Sequence, residues 1–273
     1  MGKVIKPFKS FIPSFILPFL LLGGTFVLWR VYPFGQRSIL MADQFNQYIQ
    51  FYNYYYDVLT GNGSLLYSWE AGMGLNFWAT FSYYLSSPVS FVILIFGPDY
   101  MPEAFIFMTL FKIGLAGLMM NIYLSNMIED GKINRLLFST TYALISFSIG
   151  YFFNVMWLDS ICILPLVLLG VEKLFSNKNN LLIISLAILF ISNFYMAYMV
   201  GIFTFIYFII RIISVGSGGI INNFKIIASF FVITLLAGGL SAFIIVPTYL
   251  HLKNNTNQPI NWEGMLNTSF GFF

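Results

Sequence analysis

Residues 181–213 read LLIISLAILFISNFYMAYMVGIFTFIYFIIRII, an apolar stretch of 33 residues broken only by scattered polar side chains and Arg211 near its end. As one α-helix it would be about 50 Å long, well beyond the ~30 Å hydrocarbon core of a bilayer. A tight hairpin turning between Ser192-Asn193 and Gly201 makes two spans of it, Leu181–Tyr195 and Tyr198–Ile213. That turn also places Lys178 and Arg211 on one side of the membrane. Such a stretch reads as membrane-spanning helices and not as the core of a soluble domain.

The rest of the chain agrees. Of 273 residues, 59% are hydrophobic, 20% aromatic and only 8% charged, against about 25% charged in an ordinary soluble domain. The mean hydropathy is +0.82. Too few charges exist to cover a water-facing surface, and no basic patch could track phosphates, so soluble, disordered and nucleic-acid-binding classes fall away. The alternating ten-residue segments of an outer-membrane barrel are absent. The expected fold class is all-α, a polytopic helical membrane protein. Cys162 is the single cysteine and lies in an apolar run, which excludes an intrachain disulfide; His251 is the single histidine.

Working outward, Phe11–Arg30 is a first span, preceded by Lys3, Lys6 and Lys9 and followed by Trp29 and Tyr32 at the aromatic belt. The lysines put the N-terminus in the cytoplasm, and no small-residue cleavage site follows the run. Pro33 to Ser82 is too polar to span. Tyr83–Gly97 is apolar but short and interrupted by Ser86-Ser87-Pro88, which suits an interfacial or re-entrant piece. With that piece left in the outer interface, the later spans are Ala104–Leu124, Leu136–Phe153, Ser160–Phe175, the two hairpin arms and Lys225–Val246. Nine lysines and arginines then lie inside and three (Arg30, Arg37, Lys253) outside, with Lys112 within a span. The expectation is seven spans in one transmembrane domain over residues 1–273, with residues 33–103 as an extracellular loop carrying interfacial helices. The chain stops at Asn267-Thr268-Ser269-Phe270-Gly271-Phe272-Phe273 without finishing a helix, which reads as the N-terminal part of something longer.

On this topology most acids fall on the outer side. Asp43 follows the first span, where an acid can act as a general base or simply cap the helix expected over Gln44 to Tyr56. Asp159 sits in the turn between the third and fourth spans; alone it reads as an N-cap, and together with Asp43 as one of a carboxylate pair. Glu70 lies in Glu70-Ala71-Gly72-Met73-Gly74 with Trp69, Phe77, Trp78, Tyr83 and Tyr84 nearby. Those aromatics suit either sugar stacking or an interfacial anchor. Lys112 is mid-span, where a charge costs at least about 2.5 kcal/mol, so it either meets a lipid phosphate or an acid partner or snorkels toward an end of the span. No nucleotide-binding, zinc or nucleophile-elbow motif is present.

The order of these features resembles the bacterial YfhO family of membrane proteins, within the GT-C glycosyltransferase superfamily. The resemblance is carried by Asp43, by Glu70-x-Gly-x-Gly-x-Asn-Phe, by Tyr83-Tyr84-x-x-Ser87-Pro88 and by Lys112-x-Gly114-x-x-Gly117. Met156-Trp157-Leu158-Asp159 with Pro165, and Asn193-Phe194-Tyr195-Met196-x-Tyr198-Met199, complete it. Family members are much longer, so the chain resembles their N-terminal part. The resemblance implies transfer of a sugar from undecaprenyl phosphate to a cell-wall polymer such as lipoteichoic or wall teichoic acid, on the outer face. It implies Asp43 as the catalytic acid of the first outer loop and Asp159 as a second. Glu70, Arg37, Lys112, Asn76 and Trp157 would contact substrate. A divalent ion is left open by it. The rival is a transporter or flippase for lipid-linked sugars, or an inactive fragment. Against the transporter stand the single mid-span charge and the lack of an internal repeat.

Overall fold

The computed structural model describes residues 8–70, 74–129, 131–215 and 219–255. Lys3, Lys6, Gly72, Asp130, Glu263 and the closing stretch from Asn267, all of which entered the reading above, lie outside the described residues. The first helix, α1 (Ile12–Leu28), starts with Pro13 in its first turn, where a missing N–H costs nothing. The segment that the sequence reading puts on the outer side follows. A π-turn over Gln44–Tyr48 runs into α2 (Ile49–Leu59), as expected for an amphipathic helix beginning near Gln44. Then come α3 (Phe77–Thr80) with a π-turn over Phe81–Leu85, a 3-10 turn over Pro88–Val92, and α4 (Ile93–Phe96). The bundle continues with α5 (Met101–Met127), α6 (Lys132–Ala143), α7 (Ser146–Gly150), α8 (Leu158–Leu174) and α9 (Asn180–Ser192). It closes with α10 (Phe194–Val215), α11 (Ile220–Leu240) and α12 (Ala242–Asn255).

Among the described residues three helices are long and apolar enough to cross a bilayer unaided: 98–127, 194–215 and 221–240. Helices α1, α9 and α12 are apolar but shorter. The expected span Leu136–Phe153 is two helices, α6 and α7, broken at Leu144-Ile145. The expected span Lys225–Val246 ends early, because the helix breaks at Ser241. The hairpin turns at one residue, Asn193, whose extended backbone (φ −166°, ψ 109°) separates α9 from α10. Glu172 near the end of α8 then meets Arg211 near the end of α10 at 2.7 Å, which fixes α8 and α10 side by side with their ends in register. The segments Phe77–Leu85 and Pro88–Phe96 meet at 96°. A bend that sharp is no straight span; it fits a broken span or a re-entrant piece.

Helix α5 is the axis. It packs along α1, α6 and α8, while α9 packs along α8 and α11. Its apolar window is 67% buried, against 28% for α10 and 22% for α11, so those two present most of their surface outward. Close approach explains the small residues of Lys112-x-Gly114-x-x-Gly117. A Cβ at Gly117 would stand 2.2 Å from the Ser14 carbonyl oxygen, and one at Gly114 would meet the Phe15 ring at 2.8 Å. Small residues at such crossings let helix backbones touch in lipid, where no hydrophobic force draws helices together. Asn121 locks the same interface by donating to Ser14 Oγ at 2.6 Å. Gly117→Ala is therefore expected to push α1 off α5 at a cost of about 1–3 kcal/mol. Gly24→Ala, where a Cβ meets nothing within 4 Å, is the control; thermal unfolding of the two purified variants side by side tests this, and equal midpoints would refute it.

Candidate functional site

Lys112 and Asp159 meet in the interior. Lys112 is completely buried on α5, and its Nζ lies 2.7 Å from Asp159 Oδ2 and 3.0 Å from the Val155 carbonyl oxygen. The other carboxylate oxygen, Oδ1, accepts from Ser87 Oγ at 2.8 Å. Asp159 stands in the first turn of α8 but does not cap it. The acid is turned inward and both its oxygens are engaged. A buried charge needs such partners, because desolvation would otherwise cost several kcal/mol per ion. Ser87 reaches Asp159 because the chain bends between Leu85 and Pro88, and neighbouring Ser86 donates to the Ser192 carbonyl at 3.1 Å. The bend thus ties the outer segment to α5, α8 and α9 together.

Asp43 has a different setting. It is exposed, at the start of the Gln44–Tyr48 turn, and makes no side-chain capping bond there. Its nearest partner is the Tyr48 hydroxyl at 3.4 Å, while that hydroxyl donates a much shorter bond, 2.7 Å, to Asn154 Oδ1. Tyr48 packs on Tyr84, and Tyr84 on Tyr83. Trp157 donates its indole N–H to the Tyr83 hydroxyl at 3.3 Å, and Asn193 donates to the Tyr83 carbonyl at 2.7 Å. The result is an aromatic rim with Asp43 at its edge. Burial, then the nearby Asp43 charge, pushes the Tyr48 hydroxyl well above its usual range; burial first and then Tyr83 and Asp43 do the same to Tyr84. Both phenols stay protonated at neutral pH; the Tyr48 proton is taken by Asn154, and Tyr84 can donate to an oxygen brought to the rim.

The backbone just before Asp43 is unusual. Ala42 has φ 46°, the left-handed region, which costs an L-residue about 1–2 kcal/mol. It reverses the chain so that the helix can start at once after Asp43. Ala42→Gly should keep this geometry and raise the unfolding midpoint by relieving about 1 kcal/mol. A lowered midpoint would show that Ala42 is not strained there.

The other expected contact residues are spread out. Glu70 is exposed and lines a cleft of about 350 Å³ against α2, with Asn46, Gln50, Asn53 and Asp57. Asn76 caps α3, its Oδ1 accepting the Trp78 N–H at 3.0 Å. Arg37 is exposed in a short loop whose backbone returns to Arg30 and Tyr32. The structure thus brings Lys112 together with Asp159, and Trp157 with the Asp43 rim, while Glu70 belongs to the α2 cleft. Asp43 and Asp159 have separate partners. Sequence reading missed Tyr48 and Ser87 as partners of the named acids, and Asn154 as the partner of Tyr48. Ser87-Pro88 carried the one available signal, a break inside an apolar run. Among the described residues no group of three or more His, Cys, Asp or Glu side chains gathers to hold a metal ion.

A second groove, of about 210 Å³, lies between α5, α8 and α9. Its walls include Leu115, Met119, Ile163, Leu166 and Ile188, with Pro88 and Asp159 also lining it.

No curated protein and no solved structure matches the chain. A family model described as "Bacterial membrane protein YfhO" matches residues 14–273. That match takes in α1, the outer segment and every later helix described above, and the chain belongs to the YfhO family of bacterial membrane proteins.

Proposed function

We propose that the protein is a membrane glycosyltransferase of the GT-C type that moves a sugar from undecaprenyl phosphate to a cell-wall polymer of the teichoic-acid kind. One observation carries this reading. An exposed carboxylate, Asp43, stands at an aromatic rim that is linked, through Tyr84 and the Ser87–Asp159 contact, to an apolar groove between helices. An acid at an aqueous rim and an apolar groove reached from lipid are the two environments that a lipid-linked sugar needs at once.

In this mechanism Asp43 accepts the proton of the acceptor hydroxyl as its oxygen attacks the anomeric carbon. The bond from that carbon to the phosphate oxygen breaks on the opposite face, so configuration inverts and polyprenyl phosphate leaves. Phosphate is a good leaving group, so catalysis is mostly positioning plus one base. The protonated Tyr84 donates to a sugar or phosphate oxygen at the rim, and Tyr48, bound to Asn154, holds the Tyr84 ring in place. Asp159, held by Lys112 and Ser87, is a positioning residue that keeps the bend and the rim in place. Arg37 steadies the lipid phosphate, and the isoprenoid chain lies in the apolar groove. Residues 33–103 form the extracellular loop of a single transmembrane domain, with the N-terminus cytoplasmic.

The buried pairing of Lys112 removes the mid-span charge that a transporter would offer to its cargo. The test is sugar transfer in membranes supplied with undecaprenyl-phosphate sugar and teichoic acid. The chain is compared there with its Asp43→Asn form at equal insertion. Transfer unaffected by the exchange would overturn the role of Asp43, and no transfer by either form with several donor sugars would overturn the reading as a whole.

A further inference from the structure

The cleft on α2 is not used by the mechanism above. Asn46, Gln50, Asn53 and Asp57 follow one another at i, i+4, i+7 and i+11, which at about 100° per residue puts them on one helix face. The opposite face carries Tyr48, Tyr52 and Tyr55, all buried against the bundle. A helix lying in a membrane interface ordinarily fills its polar face with Lys and Arg. From Gln44 to Leu59 this one has neither; it has amides and one acid. The face is also not open to water on all sides, since Glu70, Leu75 and Phe77 wall it into a cleft.

The wall is rigid. The Tyr54 hydroxyl lies 3.1 Å from both the Ser64 and Tyr67 carbonyls, between which its one proton is shared, and accepts from the Ser64 N–H, while its ring stands edge-on to Phe77 at 4.5 Å. Within the cleft, Asn53 Oδ1 is shielded from solvent and meets no hydrogen-bond donor among the described residues. An acceptor left unsatisfied is costly, so the Asn53 amide gains by turning into the cleft when a ligand hydroxyl is offered there.

We infer that this cleft binds an uncharged polyhydroxylated unit, a polyol or neutral sugar, and rejects a phosphate ester. Amides offer both donors and acceptors, and carboxylates accept from hydroxyls, so the four amides Asn46, Gln47, Gln50 and Asn53 with the acids Asp57 and Glu70 match a ring of O–H groups. Phe51 and Tyr54 supply apolar surface for its C–H face. No Lys or Arg lines the cleft among the described residues, and Asp57 and Glu70 repel an anion. The cleft begins at Asn46, within one turn of Asp43, and runs about 16 Å along the helix to Asp57. It therefore leads toward the proposed base, and it deepens the transfer reading by giving the docked part of the acceptor as neutral. The charges of a teichoic polymer would stay outside the cleft.

Binding can be read without transfer. Saturation-transfer NMR on the detergent-solubilised chain would use glycerol, ribitol and maltose as neutral probes and glycerol phosphate as the anion. The neutral probes should receive saturation and glycerol phosphate should not. Gln50→Ala with Asn53→Ala should weaken neutral binding by about tenfold, the worth of one or two hydrogen bonds. Gln50→Ala alone, at an exposed position, serves where the double variant folds poorly, with a smaller loss in the same direction. Asp57→Asn with Glu70→Gln should admit glycerol phosphate. Glycerol phosphate binding the unaltered chain as well as glycerol does, or a folded double variant binding undiminished, would overturn the inference. Asp43→Asn should leave binding intact, so failure of the transfer reading and failure of this one are told apart.

Discussion

Asp43→Asn is expected to lower sugar transfer by about 10²–10⁴-fold, the usual worth of a positioned general base. The exchange keeps size and shape and removes only the proton-accepting charge. Little structure depends on that charge, because Asp43 is exposed and its one hydrogen bond is long, 3.4 Å to a Tyr48 hydroxyl already committed to Asn154. Insertion, expression and unfolding temperature should therefore match the unaltered chain. The loss should fall on kcat more than on KM, since a base acts in the transition state and adds little to ground-state binding. Asp43→Glu, which restores a base displaced by one methylene, should recover part of the rate. A KM rise with unchanged kcat would make Asp43 a binding residue instead.

The second large effect concerns stability. Lys112→Met or Asp159→Leu alone should destabilise the chain by about 3–5 kcal/mol, because each leaves an uncompensated charge in the interior. The double variant should recover most of that loss, since two apolar side chains of similar volume replace the pair and its desolvation cost together. Thermal unfolding of the four forms closes a double-mutant cycle. Additive losses would mean that the pair is not coupled, against the 2.7 Å contact. The same set of proteins separates roles. Transfer should track stability across the Asp159 variants, because Asp159 acts through the bend. If Asp159→Asn kept its stability and still lost the rate of Asp43→Asn, Asp159 would be a catalytic acid in its own right.

Much of the architecture follows from apolar run length. The all-helical membrane class, α5 as a long span, the turn at Asn193 and the sharp break inside Tyr83–Gly97 all come from where runs start, stop and break. The breaks at Leu144-Ile145 and Ser241 were not read from the runs, because no proline or charge stands within five residues of either and the nearby Thr, Ser and Gly-Gly are tolerated inside spans. The site divides the same way. Lys112 visibly needed a partner, but nothing local could choose Asp159, since the two are 47 positions apart and packing of α5 on α8 makes the choice. Asn76 carried no sign that its side chain caps α3, and the amide face of α2 was visible only as composition until Glu70 and Phe77 closed it into a cleft.

The Lys112–Asp159 pair also sets a timetable for biogenesis. Lys112 leaves the ribosome 47 residues ahead of Asp159, or about 2–9 s at ordinary rates of synthesis. During that interval α5 carries an unmatched ammonium, which opposes its release from the insertion machinery into lipid. Helix α5 should therefore linger beside the translocon until α8 emerges, and the two should enter the bilayer as a pair, with the Ser86–Ser87 bend settling onto them afterwards.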